Sequence, residues 1–257
     1  MWRSTDGVGV PARHDQVEDP ALAEALLTAR RGTAYFARKL GELTDEQFTA
    51  PSLLPGWSRA HVIAHVGYNA RALTRLLEWA ATGVETPMYA GPAQRAQEIE
   101  DGATLTPAAL RHLVAHSAVH LNVEWRDLPA DRWTAPVRTA QGRTVPVAET
   151  AWLRTREVWL HAIDLDNGAA FTDVPPEVID RLLQDITDSW RQREHGLNLI
   201  LRPTDRPTTI PVSSMTSGEA ITITGTAADL TRWATGRGRR GLDTTSGADV
   251  PTAPRWL

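Results

Sequence analysis

A chain of 257 residues with 42% apolar residues, 23% charged residues and a formal net charge of −4 has the composition of a soluble globular protein, long enough for one large domain or two ordinary ones. The acidic balance leaves no basic footprint for nucleic acid. No apolar run approaches the roughly 18 residues of a membrane span, and the polar stretch from Met1 to Asp19 lacks the apolar core of a signal peptide, so a cytoplasmic protein is expected.

There is no cysteine. That removes disulfides, thiolate metal ligands and a catalytic thiol from the protein itself, so any thiol chemistry must come from a bound molecule. Lys39 is the only lysine among 27 basic residues, which reads as the bias of a high-GC genome. The ten tryptophans are assigned mainly to the core.

Residues 1–18 read as a flexible or loosely attached leader. Asp19-Pro20 supplies an N-cap and a first-turn proline for a helix carrying Leu22, Leu26, Ala29, Thr33, Phe36 and Leu40 at helical spacing and stopping near Gly41. After a loop ending in Pro51-Ser52-Leu53-Leu54-Pro55-Gly56-Trp57, Ser58 caps a second helix that runs to about Gly83. At about 100° per residue, His65 falls at the edge of that helix's apolar stripe, near Asn69 and Leu76, and so faces the interior. His61 falls toward solvent. For an isolated interior histidine, a core residue bonded to a backbone carbonyl is the commoner outcome than a metal ligand.

The segment from Gly83 to Thr106 reads as a long connection. A third helix starts at Thr106-Pro107 and reaches about Asp127, with Leu110, Leu113, Val114 and Leu121 as its stripe. Its His112, His116 and His120 lie four apart but on the polar side, and read as a solvated face. A short hairpin is expected between Trp133 and Pro146. A fourth helix runs from Thr150 to about Asp166. These elements make a four-helix bundle over residues 19–168.

In the fourth helix Arg154, Glu157, His161 and Asp164 fall in one narrow arc, and the rest is apolar nearly all round. Four residues is about one turn, so Glu157 and His161 leave the same face. A buried carboxylate beside a buried imidazole needs a partner, and a metal ion is one. Taken alone, this helix favours the plainer reading of a wet face with Arg154 and Glu157 as a surface ion pair, because a lone Glu-x-x-x-His pair is a weak motif.

Residues 169–257 read as a smaller α+β domain. An amphipathic helix opens at Val174-Pro175-Pro176 and ends at Gly196. Strand-like runs follow at 197–201, 208–212 and 220–224, then a helix from Thr226 to Thr235 and the run Gly236-Arg237-Gly238-Arg239-Arg240-Gly241. Glycines beside arginines allow close approach to a carboxylate or phosphate.

Several stretches together resemble one family. They are Leu54-Pro55-Gly56-Trp57-Ser58-Arg59 with Ala64-His65-Val66, Thr86-Pro87-Met88-Tyr89, Thr139-Ala140-Gln141-Gly142-Arg143-Thr144-Val145-Pro146, Arg156-Glu157-Val158-Trp159-Leu160-His161, Gly236-Arg237-Gly238 and Pro254-Arg255-Trp256-Leu257. In order and in both halves of the chain, they are similar to the mycothiol-dependent maleylpyruvate isomerases. The resemblance implies an α+β protein with an N-terminal DinB-like four-helix bundle and a small C-terminal α/β domain. It implies a metal, usually zinc, on His65, Glu157 and His161, and a catalytic arginine at Arg237, with Arg239 and Arg240 as neighbouring candidates. Two histidines and one carboxylate with an open fourth position is the pattern of a catalytic zinc site, and Asp164, one turn on from His161, reads equally as a group that orients a ligand and as a surface carboxylate.

The expected function is cis–trans isomerisation of maleylpyruvate to fumarylpyruvate, a step of aromatic (gentisate) degradation. Mycothiol as cofactor adds to the cis double bond, the bond rotates, and the thiol is expelled. Arg237 would bind a carboxylate or stabilise the enolate. The expected partners are a small-molecule substrate and this thiol, with no nucleic acid and no membrane; a monomer is expected. The near rival is a mycothiol S-transferase with the same metal ligands. The distant one is a non-enzymatic zinc-stabilised module, in which a fourth protein ligand such as His61 or His116 would close the site.

Overall fold

The helices start where the sequence supplies caps. In a computed structural model, which describes residues 14–193, 198–213 and 220–256, Asp19 accepts a hydrogen bond from the Ala21 N–H and opens α1 (Pro20–Gly41). Ser58 does the same for α2 (Arg59–Thr82), and Gly83, with a left-handed φ of 74°, ends it. Such a stop favours glycine because a Cβ is disfavoured there. Thr106 caps α4 (Pro107–Asp127).

The connection before α4 is not a bare loop. It contains α3 (Pro92–Ala103), which the sequence reading missed because a helix with Ile99 as its single large apolar residue shows no apolar stripe. Only Ile99 and Gly102 are buried in it. A Cβ on Gly102 would lie 2.6 Å from the Tyr68 ring, so α3 rests directly on α2. Gln94–Glu98 and Gln97–Asp101 hydrogen bonds add one-turn support on its outer side.

After the hairpin of β1 (Pro136–Arg138) and β2 (Thr144–Pro146), α5 (Glu149–Asp164) completes the bundle. The long helices pair α2 with α4 and α1 with α5. Between them lie two apolar clusters. One is built around Ile63, Val158 and Ile163, the other around Leu73, Leu121 and Trp125. Residues 1–13 of the expected leader lie outside the described residues. Just after them, Asp15 takes both ends of the Arg30 guanidinium, and the Gln16 N–H donates to the Arg126 carbonyl.

The C-terminal part carries α6 (Pro176–Gln192), β3 (Asn198–Pro203), β4 (Ile210–Ser213), β5 (Ile221–Gly225), α7 (Ala227–Ala234) and β6 (Asp243–Thr244). The expected helix end at Gly196 and strand start at 197 lie outside the described residues. The sheet order is β4-β3-β5-β6, parallel between β3 and β5 and antiparallel elsewhere. Two-residue β6 offers too short a pattern to read from sequence. A third apolar cluster, including Ile186, Trp190, Leu201, Ile223 and Trp233, joins α6 and α7 to this sheet.

Gly32 sets how closely α1 approaches α5. A Cβ there would lie 2.6 Å from both Trp159 Nε1 and Val158 Cγ2, on the turn that follows Glu157. Replacing Gly32 with Val should cost about 1–3 kcal/mol through overpacking, read as a lower midpoint in urea unfolding. An unchanged midpoint would contradict this contact.

Candidate metal centre and ligand cavity

His65 on α2 and Glu157 and His161 on α5 meet where the two helices face each other. His65 Nε2 lies 2.8 Å from Glu157 Oε2, and His161 Nε2 lies 3.1 Å from the same oxygen. The two imidazoles meet edge to face, with ring centroids 4.8 Å apart. His65 is 4% exposed. One ligand atom from each of the three residues fits within a 4.8 Å span. A tetrahedral zinc with ligands at about 2.0–2.2 Å would hold such atoms roughly 3.4 Å apart, so this donor set fits a divalent cation after a small adjustment of the side chains. No fourth His, Cys, Asp or Glu joins the group among the described residues.

The electrostatics suit that arrangement at His65 and Glu157 and oppose it at His161, whose proton a metal ion would displace. Burial lowers the His65 pKa despite the neighbouring carboxylate, which keeps its imidazole neutral, as a ligand must be. Burial opposes the Glu157 anion, but hydrogen bonds from His161 and His65 outweigh it and hold the carboxyl well below its usual range. Burial also works against charge on His161, whose pKa is nonetheless raised by Asp164 and Glu157.

Asp164, fully buried, connects this centre to the second domain. His161 Nδ1–H donates to Asp164 Oδ2 at 2.8 Å, which leaves Nε2 for the centre. From the other side Arg237 grips the same carboxylate with both arms of its fork, Nε to Oδ1 at 2.7 Å and Nη2 to Oδ2 at 2.6 Å. A further Arg237 donor goes to the Thr235 carbonyl. Arg59 fixes the end of α5 by donating to the carbonyls of Leu165 and Asp166.

Burial raises the Asp164 pKa, but its hydrogen bonds from His161 and Arg237 prevail and hold it down at about 2. A depressed carboxyl contributes stability above its unfolded value of about 3.9, and that contribution fades as pH falls from about 4 toward 2. Replacing Asp164 with Asn should therefore lower stability at neutral pH and flatten this acid limb. It should also weaken metal binding by roughly 10–100-fold. Unaltered acid unfolding and unaltered metal affinity would contradict the bridge.

Arg154 corrects one expectation. It is 1% exposed and does not form a surface pair with Glu157. Its Nη1 donates to the Val66 carbonyl and to Asn69 Oδ1, and burial pulls its pKa down to about 10. The arc on the helical wheel was therefore not a wet face. It points at α2.

A cavity of about 920 Å³ opens onto the centre. Its walls come from the loop and first turn of α3 (Glu85 to Arg95), the hairpin turn (Arg138 to Gly142), α5, the end of α7 and residues 253–256. Trp57, Leu160 and Trp256 supply apolar wall. Arg237 lines the cavity; Arg239 and Arg240 do not, and Arg239 is turned to the Val250 carbonyl. The sequence reading left the cofactor-contacting residues unassigned. Of the residues that line the cavity, Arg95 was invisible while its segment read as a loop, and Tyr89, Gln141 and Arg156 stood only inside quoted motifs.

Among the described residues, the other helix-borne histidines stay apart from this centre. His61 bonds to Ser58 and lies 3.3 Å from Glu100. His112, His116 and His120 are exposed on α4, as the helical wheel indicated.

A helical bundle with an inward two-histidine, one-carboxylate group, opening into a cavity that the C-terminal part helps to wall, defines an α+β protein built around a candidate metal site. The comparisons give the family. The model for the mycothiol maleylpyruvate isomerase N-terminal domain matches residues 29–166, and that for the MDMPI C-terminal domain matches residues 173–255. The chain belongs to the mycothiol maleylpyruvate isomerase family. It is similar to a crystal structure of the mycothiol-dependent maleylpyruvate isomerase at 44% identity and a TM-score of 0.88, covering 91% of this chain and 97% of that one. A structure of a histidine-to-alanine mutant of that isomerase gives the same values. No curated protein sequence gives a significant match.

Proposed function

We propose that this protein is a mycothiol-dependent isomerase that converts maleylpyruvate to fumarylpyruvate, with zinc held by His65, Glu157 and His161. The observation that carries the reading is the 44% identity to an isomerase of that kind over 91% of the chain, joined to three converging metal-type donors at the wall of an open cavity. When bound, the metal supplies charge that favours a thiolate, and mycothiol supplies the thiol whose reversible addition makes the cis double bond rotatable.

The chain's own residues prepare this chemistry. Asp164 fixes the His161 tautomer, so that Nε2 faces the centre. Glu157 stays anionic at neutral pH. Trp57, Leu160 and Trp256 present apolar wall to the cavity, which lowers the local dielectric and strengthens the charged contacts beside it. Three of the Arg237 N–H bonds are committed. The remaining N–H donors are available to a substrate carboxylate or to the enolate oxygen.

The fate of the thiol tests the reaction class. During maleylpyruvate consumption the free mycothiol concentration should stay constant over many turnovers. Stoichiometric loss of free thiol into a stable adduct would mean S-transfer instead of isomerisation.

A further inference from the structure

Beside His65 and Glu157 the cavity wall holds a small recess of about 40 Å³. We propose that this recess is a carboxylate pocket, walled by Arg95 and Arg156, that takes one end of the dicarboxylate substrate. The assignment rests on the isomerase reading and adds residues for recognising its substrate.

The volume has room for a group of a few heavy atoms, since one water needs roughly 10–15 Å³ of such a cavity. Arg95 and Arg156 line both the recess and the main cavity. Neither has a carboxylate partner among the described residues, whereas the neighbouring arginines are engaged. Arg138 faces Glu85 at 3.7 Å and Arg237 holds Asp164. The Arg156 guanidinium lies over the Trp256 ring, 5.3 Å from its centroid. Stacking of this kind orients the planar group while leaving its N–H edges free. Arg95 makes only a marginal contact, Nη2 to His65 Nδ1 at 3.5 Å, at the outer limit for a hydrogen bond.

Two half-buried cations with no carboxylate partner among the described residues suit an anion that arrives as ligand. The one carboxylate on the recess wall, Glu157, has its Oε2 engaged by both histidines. Tyr89 also lines the recess. Burial pushes its pKa up to about 12, so its hydroxyl remains a donor at neutral pH. With one carboxylate seated here, the other is left for the main cavity, where Arg237 lies.

The test is steady-state kinetics of the metal-loaded full chain, comparing wild type with Arg95→Gln, Arg156→Gln and Arg156→Lys, with calorimetric titration of maleate, a simple dicarboxylate, alongside. The KM for maleylpyruvate should rise at least about tenfold in each Gln variant. The KM for mycothiol and the metal content should not change, Arg156→Lys should recover part of the loss, and maleate binding should weaken in parallel. An unchanged maleylpyruvate KM with unchanged maleate binding would overturn the pocket, and so would a rise confined to the mycothiol KM. Absence of turnover in wild type would sink the isomerase reading instead, and maleate binding would still decide whether the recess takes a carboxylate.

Discussion

Glu157→Gln should strip the protein of metal and of turnover together. The substitution keeps the shape of the side chain but removes the charge, and Glu157 Oε2 is the atom both imidazoles approach, at 2.8 and 3.1 Å. A neutral amide is a poor ligand for zinc beside two histidines. Metal affinity should fall by more than about 100-fold, since even residues that only orient a ligand are worth 10–100-fold. Loss of turnover should follow the loss of metal. The fold should survive, because Val158, Ile163 and the apolar cluster around them are untouched. Metal content after dialysis, measured beside kcat, checks this. A Glu157→Gln protein that kept one tightly held metal ion and full activity would remove Glu157 from the centre.

Arg237→Ala should separate activity from metal. Turnover should drop by roughly 10²–10³-fold, the usual cost of removing a donor aimed at developing negative charge, while metal remains bound through His65, Glu157 and His161. A second effect comes with it, because Arg237 is also the bidentate partner of buried Asp164. Breaking such a pair from one side typically costs about 3–5 kcal/mol, so the Ala variant should unfold earlier as well. Arg237→Lys distinguishes the two contributions. It keeps a cation near Asp164 and should recover part of the stability, but it lacks the planar fork and should not recover the rate. Normal turnover in the Ala variant would remove the catalytic role and leave Arg237 as a link between the domains.

The long helices were legible because their caps and stripes agree. Asp19, Ser58 and Thr106 stand where α1, α2 and α4 begin, and the apolar residues behind them recur at helical spacing. That His65 turns inward followed from its place at the edge of the α2 stripe. That it meets Glu157, 92 positions later, did not follow from the residues of either helix and came from the resemblance to a family. The burial of Arg154 was hidden by its charge. A wheel assigns a charged residue to solvent, and only the Val66 carbonyl and Asn69 on α2 explain why this one is inside. Helix α3 was hidden for the opposite reason, having almost no apolar face to announce it. The Asp164–Arg237 bridge joins residues 73 apart in different domains, and no local pattern encodes such a contact. One helical turn offered Asp164 either an orienting role or a place at the surface; its burial and its grip on Arg237 required the fold.

The most direct test of the whole account is the conversion of maleylpyruvate by the zinc-loaded protein, followed by product analysis with and without mycothiol. The account predicts fumarylpyruvate only when both zinc and mycothiol are present, as expected of a chain that has no cysteine to supply the thiol. Equal conversion without mycothiol, or no conversion by fully zinc-loaded protein with mycothiol present, would contradict it.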